Sequence, residues 1–208
     1  MNMTAMGLSF EQLLKLSFVI PVLLVLSIFV LAQSLERLWT YLVLEGMPYS
    51  LLGQIFKHLQ AGEKQEAVDL CQRKSGTVAE AFADLLQRDP NDTDALMESY
   101  SIYRQKLQMR LSRRVGLFGT ASFISPLIGL LGTVLGVMRA FHDLAAAGTG
   151  GPSVVAAGIS EALIATAAGI GVAVLSSIFY NYFTMSLRYR LNLFDLWAMQ
   201  LADWLKKR

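Results

Sequence analysis

Three long apolar segments interrupt an otherwise polar chain. Uncharged residues run from Leu16 to Leu35, from Val115 to Met138, and from Ser153 to Leu187, where only Glu161 intervenes. A membrane-spanning helix needs roughly 20 apolar residues at 1.5 Å per residue. The first two segments therefore fit one crossing each. The third is too long for one crossing, and we expect it to protrude from the bilayer as a helix.

The polar stretch between the first two apolar segments has a helical period. Apolar residues recur at i, i+3, i+4 and i+7 in YSLLGQIFKHLQ, EKQEAVDLCQR and TVAEAFADLLQR. Ala61-Gly62 and Ser75-Gly76 separate these three helices, and DPNDT predicts a turn followed by a helix N-cap. From Asp94 the pattern continues toward Arg114 without a breaker, so we expect that helix to run directly into the second span.

Basic residues predict the orientation of the spans. The connection after the second apolar segment contains no Lys or Arg, whereas Arg110, Arg113 and Arg114 precede that segment. The C-terminal tail is also basic, with Arg188, Arg190, Lys206, Lys207 and Arg208. By the positive-inside rule the polar stretch and the tail are cytoplasmic, and the N-terminus lies outside.

The predicted fold is an all-α integral membrane protein with three transmembrane helices, a periplasmic N-terminus and long helices that extend into a cytoplasmic helical bundle. The first apolar segment is too long for the core of a signal peptide and lacks an A-x-A cleavage site, so we expect it to be retained. The predicted parts are a periplasmic N-terminus (1–15), a first span (16–38), a cytoplasmic helical domain (39–114), a second span (115–141), a periplasmic loop (142–152), a third span extending into the cytoplasm (153–187) and a cytoplasmic tail (188–208).

Composition excludes several functions. The chain of 208 residues is 54% hydrophobic and 16% charged, whereas about a quarter of a soluble domain is charged. A net charge of +2 gives no nucleic-acid signature, and a single cysteine allows no intrachain disulfide. His58 is expected to be an ordinary surface residue and Cys71 a small buried one. No catalytic, metal-binding or cofactor-binding constellation is present, so the sequence predicts no enzyme.

Small residues form regular stripes on the second and third spans. Such stripes let helix backbones approach closely, and two neighbouring spans that both carry them indicate a tight, repeated multi-helix assembly. Ordinary membrane packing is the plainer alternative. The second-span stripe contains Gly129, Gly132, Thr133 and Gly136. The third span has one stripe with Ala165, Gly169, Ala173 and Ser177 and an adjacent one with Gly158, Ala162 and Thr166.

Glu161 is a carboxyl group inside an apolar span. An acid at mid-helix costs at least about 2.5 kcal/mol, and such residues usually mark ion pathways. A protonated glutamate hydrogen-bonded to a neighbouring helix is the purely structural alternative. Thr166 lies about 140° around the helix from Glu161, so both cannot point the same way. We favour Thr166 in a central lumen and Glu161 at a helix–helix flank with a partner.

Two blocks, SPLIGLLGTVLGVMRAF (125–141) and GISEALIATAAGIGVAVLSSIFYN (158–181), closely resemble those of the ExbB/TolQ/MotA proton-channel family, most nearly its ExbB and TolQ branch. AGEKQEAVDLCQR also resembles the cytoplasmic helices of that branch. The resemblance implies that Thr133, Thr166 and Glu161 line the ion path. Pro126 should kink the second span, whereas Leu175 stands where related sequences often have a proline, which puts a kink in the third span in doubt.

The resemblance also implies partners. Five copies of such a chain would form a ring in the bacterial inner membrane, around the single spans of two ExbD- or TolR-like subunits that carry the proton-binding aspartate. Proton flow would then drive work on a TonB- or TolA-like periplasmic protein, with no cofactor and no nucleic acid. A non-conducting membrane scaffold and the stator of another MotA-like ion-driven machine are the alternatives.

Overall fold

The structure, a computed structural model, describes residues 18–44, 47–89, 91–147 and 152–206. Every regular element in these residues is a helix, which confirms the predicted all-α fold. The predicted periplasmic N-terminus lies outside the described residues. The helices are α1 (Val19–Trp39, continued by a π-helical turn, Thr40–Leu44), α2 (Tyr49–Gln60), α3 (Lys64–Gln72), α4 (Thr77–Gln87), α5 (Thr93–Ser112), α6 (Val115–Ala147) and α7 (Pro152–Lys206).

Three helical segments are long and apolar enough to cross a membrane, as the hydrophobic pattern predicts. They fall in α1 with its π-helical turn, in α5 together with α6, and in α7. Helix α7 has 55 residues, about 80 Å at 1.5 Å per residue, and far exceeds the thickness of a bilayer. It runs without interruption through Leu175. Helix α6 reaches Ala147, inside the segment predicted as a loop.

The chain divides into two compact units. The first, here called the span unit, contains the described residues up to Ser34 together with Gly116–Asn181. The second, here called the bundle unit, contains Leu35–Val115 and α7 from Tyr182 onward. Helices α1 and α7 thus each contribute residues to both units.

The helices of the bundle unit follow the predicted pattern. Helices α2, α3 and α4 coincide with the three predicted helical stretches to within a residue or two. Gly62 and Gly76 separate them with φ angles of 79° and 114°, a left-handed conformation that costs glycine little. The Asp92 side chain accepts a hydrogen bond from the backbone N–H of Ala95 at 2.9 Å, which provides the predicted N-cap of α5.

Aromatic packing holds the C-terminal half of α7 in the bundle unit. The ring of Phe194 stacks on that of Phe82 at 6.0 Å and on that of Tyr100 at 5.8 Å. Asp195 on the next position accepts hydrogen bonds from the Tyr100 hydroxyl at 2.7 Å and from Nε of Arg104 at 2.9 Å. Apolar burial and a satisfied carboxylate therefore fix α7 against α4 and α5.

The end of α5 departs from the expectation. The predicted continuous helix from Asp94 into the second span is wrong, because α5 ends at Ser112 and Arg114 adopts a φ of 61° before α6 begins. The last carbonyls of a helix need donors from elsewhere. Here Nη1 of the buried Arg37 donates to the carbonyl of Arg113 at 2.9 Å, and the Tyr41 hydroxyl donates to that of Leu111 at 3.0 Å.

Cys71 on α3 is fully buried, and burial raises the pKa of its thiol to about 12. Thiol reagents attack the thiolate, so we expect the folded chain to react with a maleimide at pH 8 at least about a hundredfold more slowly than the denatured chain. Mass spectrometry of the labelled protein measures this rate. Equal labelling of folded and denatured protein would show that the thiol is accessible.

Candidate functional site

Helices α6 and α7 touch through their small residues within the span unit. A methyl group added to Gly169 would lie 2.6 Å from the carbonyl oxygen of Ser125, and one added to Gly132 would lie 2.8 Å from Cβ of Ala165. Real Cβ atoms do not approach other atoms so closely, so the two helix backbones are in direct contact. Gly129 and Gly136 on α6 make similar approaches to Thr166 and Ala162 on α7.

The stripes predicted from the sequence therefore face each other inside a single chain. Ala162, Ala165 and Ala173 are buried, and Ala162 and Ala165 lie directly against Gly136 and Gly132 of α6. Val19 and Leu23 of α1 join the same cluster around Ala165. The sequence pattern indicates a repeated assembly, with ordinary membrane packing as the alternative. In the structure the stripes already join the three spans of one copy.

The two threonines predicted to line the ion path have different environments. The Thr166 hydroxyl donates to the carbonyl of Gly129 on α6 at 3.0 Å, which links the two spans. The Thr133 hydroxyl donates to the carbonyl of Leu130 on its own helix at 2.6 Å. Thr166 thus lies at an edge of the helix contact, and its place in a lumen stays a prediction.

Replacing Thr166 with valine removes the hydrogen bond between α6 and α7 at nearly constant volume. We expect a loss of about 0.6 kcal/mol in the free energy of unfolding, the average for such bonds between membrane helices. Detergent-titration unfolding of the purified chain measures it. Thr133→Val is the matched control, because its hydroxyl bonds only within α6. An equal loss in both variants would contradict a special role for the Thr166 bond.

Glu161 is half-buried on the opposite edge of the same contact. It precedes Ala162, which packs on Gly136, and lies about 140° around α7 from Thr166. Among the described residues none forms a hydrogen bond or ion pair with its carboxyl group, although the charge of Arg139 on α6 attracts it. Glu161 is also the only charged side chain in the described parts of the three apolar segments.

Pro126 lies within the continuous α6, next to Ser125, whose carbonyl touches Gly169. Proline lacks an N–H, so the carbonyl of Ser122 loses its usual helical donor at this point. The predicted kink at Pro126 stays a prediction. No cluster of potential metal ligands occurs in the part of the chain that the structure describes.

Sequence reasoning missed Arg37 and Tyr41, which hold the end of α5. A signal for Arg37 was present, because it is the first basic residue after the first apolar segment. Its burial was not foreseen, since an arginine at this place is ordinarily expected to point into water or headgroups.

Tightly packed apolar helices with one carboxyl group at their contact define a multi-span helical membrane protein with a potential proton-exchanging group. Residues 72–195 match the model of the MotA/TolQ/ExbB proton channel family, and the chain belongs to this family. Its similarity is to the ExbB and TolQ branch. Family membership and the three apolar helices place it in the bacterial inner membrane.

Several curated proteins are similar to this chain. The putative biopolymer transport protein ExbB-like 3 of Synechocystis is 30% identical over 166 residues, which cover 77% of this chain and 78% of that protein. The biopolymer transport protein ExbB of Salmonella typhimurium is 37% identical over 110 residues, 47% and 45% of the two chains. The Tol-Pal system protein TolQ of Pseudomonas aeruginosa is 36% identical over 107 residues, 50% and 46%. The chain thus spans about half the length of the last two.

Proposed function

We propose that this chain is the ring-forming subunit of an inner-membrane motor driven by the proton-motive force. In this proposal five copies surround two single-span subunits of ExbD or TolR type, and the motor works on a periplasmic protein of TonB or TolA type. The observation that carries the proposal is Glu161, a carboxyl group without a hydrogen-bond partner among the described residues, at the edge of a close helix contact. Membership of a proton channel family supports it.

In this proposal the partner subunit carries the main proton-binding group, because the apolar segments of this chain contain too few acids to relay a proton. A proton relay across a membrane needs successive groups that accept and release the proton, and the described apolar segments contain Glu161 alone. The partner subunit therefore supplies an intramembrane aspartate as the main titrating group. Each charge that crosses 100 mV provides about 2.3 kcal/mol, and this free energy moves the partner helices against the ring.

Reconstitution tests the proposal directly. We expect proteoliposomes of this chain alone to show little gradient-driven proton flux, and proteoliposomes of the chain with its single-span partner to show flux that requires the partner aspartate. A pH-sensitive dye inside the vesicles measures the flux. Large flux with the chain alone would contradict the assignment of the main proton-binding group to the partner.

The alternative of a non-conducting scaffold draws support from one feature of the site. The hydroxyls of Thr133 and Thr166 both donate to backbone carbonyls of the same chain, as they would in a purely structural contact. A scaffold predicts no flux with or without the partner. The stator of another MotA-like machine predicts partner-dependent flux with a different periplasmic protein in the purified complex.

A further inference from the structure

Arginines gather at one end of the three apolar segments. Arg37 follows the first segment, Arg113 and Arg114 directly precede the second, and Arg188 follows the third. All of them belong to the bundle unit. With Arg110 and Arg190, which lie within one helical turn of these positions, they form a set here called the arginine belt.

Contacts within the bundle unit hold α1, α5 and α7 together at the belt. The Tyr41 hydroxyl donates to the carbonyl of Leu111. It also lies 3.3 Å from the carbonyl oxygen of Phe183 on α7. The guanidinium carbon of Arg190 lies 4.9 Å from the centre of the Tyr41 ring. Arg37, one turn before Tyr41 on α1, reaches the carbonyl of Arg113. Packing within the bundle unit therefore fixes Arg37 against the backbone of Arg113, and Arg190 against Tyr41.

Arginines outnumber acids at the belt. In the described residues 35–44, 105–115 and 182–192 the one acid is Glu36, which pairs with Arg37 and whose charge also attracts Arg114. The side chains of Arg113, Arg114 and Arg188 are exposed and make no hydrogen bond or ion pair with another described residue. An exposed surface with several arginines and so little negative charge attracts anions.

The arginine side chains and their location beside the membrane spans both favour a lipid phosphate as the bound anion. A guanidinium group binds phosphate through two parallel N–H donors, and clustered basic residues immediately beside membrane spans attract anionic lipid headgroups. Arg114 also adopts a φ of 61°, where glycine would be free of strain. The backbone conformation at this position thus favours glycine, yet the residue is an arginine.

We propose that the arginine belt binds the headgroup phosphates of anionic phospholipids, with Arg113 and Arg114 as its main exposed contacts. This proposal does not depend on the proton-driven motor. Arg37 and Tyr41 act as positioning residues, because their bonds to α5 carbonyls fix the backbone that carries the two exposed arginines. The lipid is defined by its chemistry: an anionic phosphate that carries acyl chains.

Native mass spectrometry of the full chain in its purified complex tests the proposal. The complex is mixed with equal amounts of phosphatidylglycerol and phosphatidylcholine with the same acyl chains, and the retained lipid is counted. We expect the wild-type chain to retain phosphatidylglycerol preferentially. The double variant Arg113→Gln/Arg114→Gln should lose this preference, by roughly fivefold for each arginine. An unchanged preference would overturn the proposal.

Two further variants exclude simpler explanations. Arg73→Gln/Lys74→Gln removes the same charge from an exposed site at the end of α3 and should keep the preference. An equal loss there would show an effect of net charge and would overturn the assignment to the belt. Arg114→Gly relieves the backbone, so it should fold at least as well as the wild-type chain while binding less phosphatidylglycerol.

The source of the phosphate is tested by competition. Inorganic phosphate at the same concentration as the lipid should displace little phosphatidylglycerol, because it lacks the acyl chains that favour apolar surroundings. Equal displacement by inorganic phosphate would overturn the proposal that the ligand is a lipid and would indicate a site for a soluble anion.

Discussion

Replacing Gly169 with leucine should prevent α6 and α7 from packing, and we expect a large loss in the free energy of unfolding. Even a methyl group at this position would meet the carbonyl oxygen of Ser125 at 2.6 Å and Cα of Gly129 at 3.0 Å. These are backbone atoms, so no side-chain rotation can relieve the overlap. Overpacking typically costs about 1–3 kcal/mol, and we expect Gly169→Ala within this range and Gly169→Leu at or above its upper end.

Gly171, two residues further along α7, is the matched control. It is exposed, and a methyl group there would meet nothing within 4 Å. Detergent-titration unfolding of the isolated chain should give nearly wild-type stability for Gly171→Ala and a large loss for Gly169→Ala. Native mass analysis then separates folding from assembly, because a methyl group at Gly171 meets no other atom of the chain. Wild-type unfolding of Gly169→Leu would contradict the close approach of the two helices.

Replacing Glu161 with alanine should abolish most energy transduction while leaving the complex assembled. The carboxyl group makes no hydrogen bond to a described residue, so its loss removes little packing energy. Under the proposed function it is the intramembrane acid that this chain contributes to the motor, and we expect activity to fall by about tenfold or more. Glu161→Gln keeps the shape and should be impaired less, because the main titrating acid belongs to the partner.

Energy-dependent uptake or envelope integrity, measured in cells at equal protein levels, gives the activity of these variants. Glu98→Gln is the matched control, because it makes the same chemical change on the exposed surface of α5. Native mass analysis of the purified complexes checks assembly. Wild-type activity of Glu161→Ala would show that the glutamate serves packing, and the functional role proposed for it would be wrong.

The sequence by itself determined the elements and the faces of the spans. Apolar length predicted three crossings because a backbone in a bilayer must satisfy its own hydrogen bonds within a helix. Helical period and glycine breaks predicted α2, α3 and α4, since local spacing alone decides which face of a short helix is apolar. The angle between Glu161 and Thr166 also followed from the helical period, and the structure places them on opposite edges of one contact.

Only the tertiary structure decided what those faces touch. A stripe of small residues fits a neighbouring copy as well as another span of its own chain, and periodicity cannot distinguish the two; the contact of Gly169 with Ser125 does. The acceptor of the Thr166 hydroxyl was undetermined for the same reason. The sequence also could not predict the break at Arg114. The side chains that donate hydrogen bonds to the carbonyls beside it, Arg37 and Tyr41, lie some seventy residues earlier. Local propensity favours a continuous helix there, and only long-range hydrogen bonds to the final carbonyls of α5 make the interruption stable.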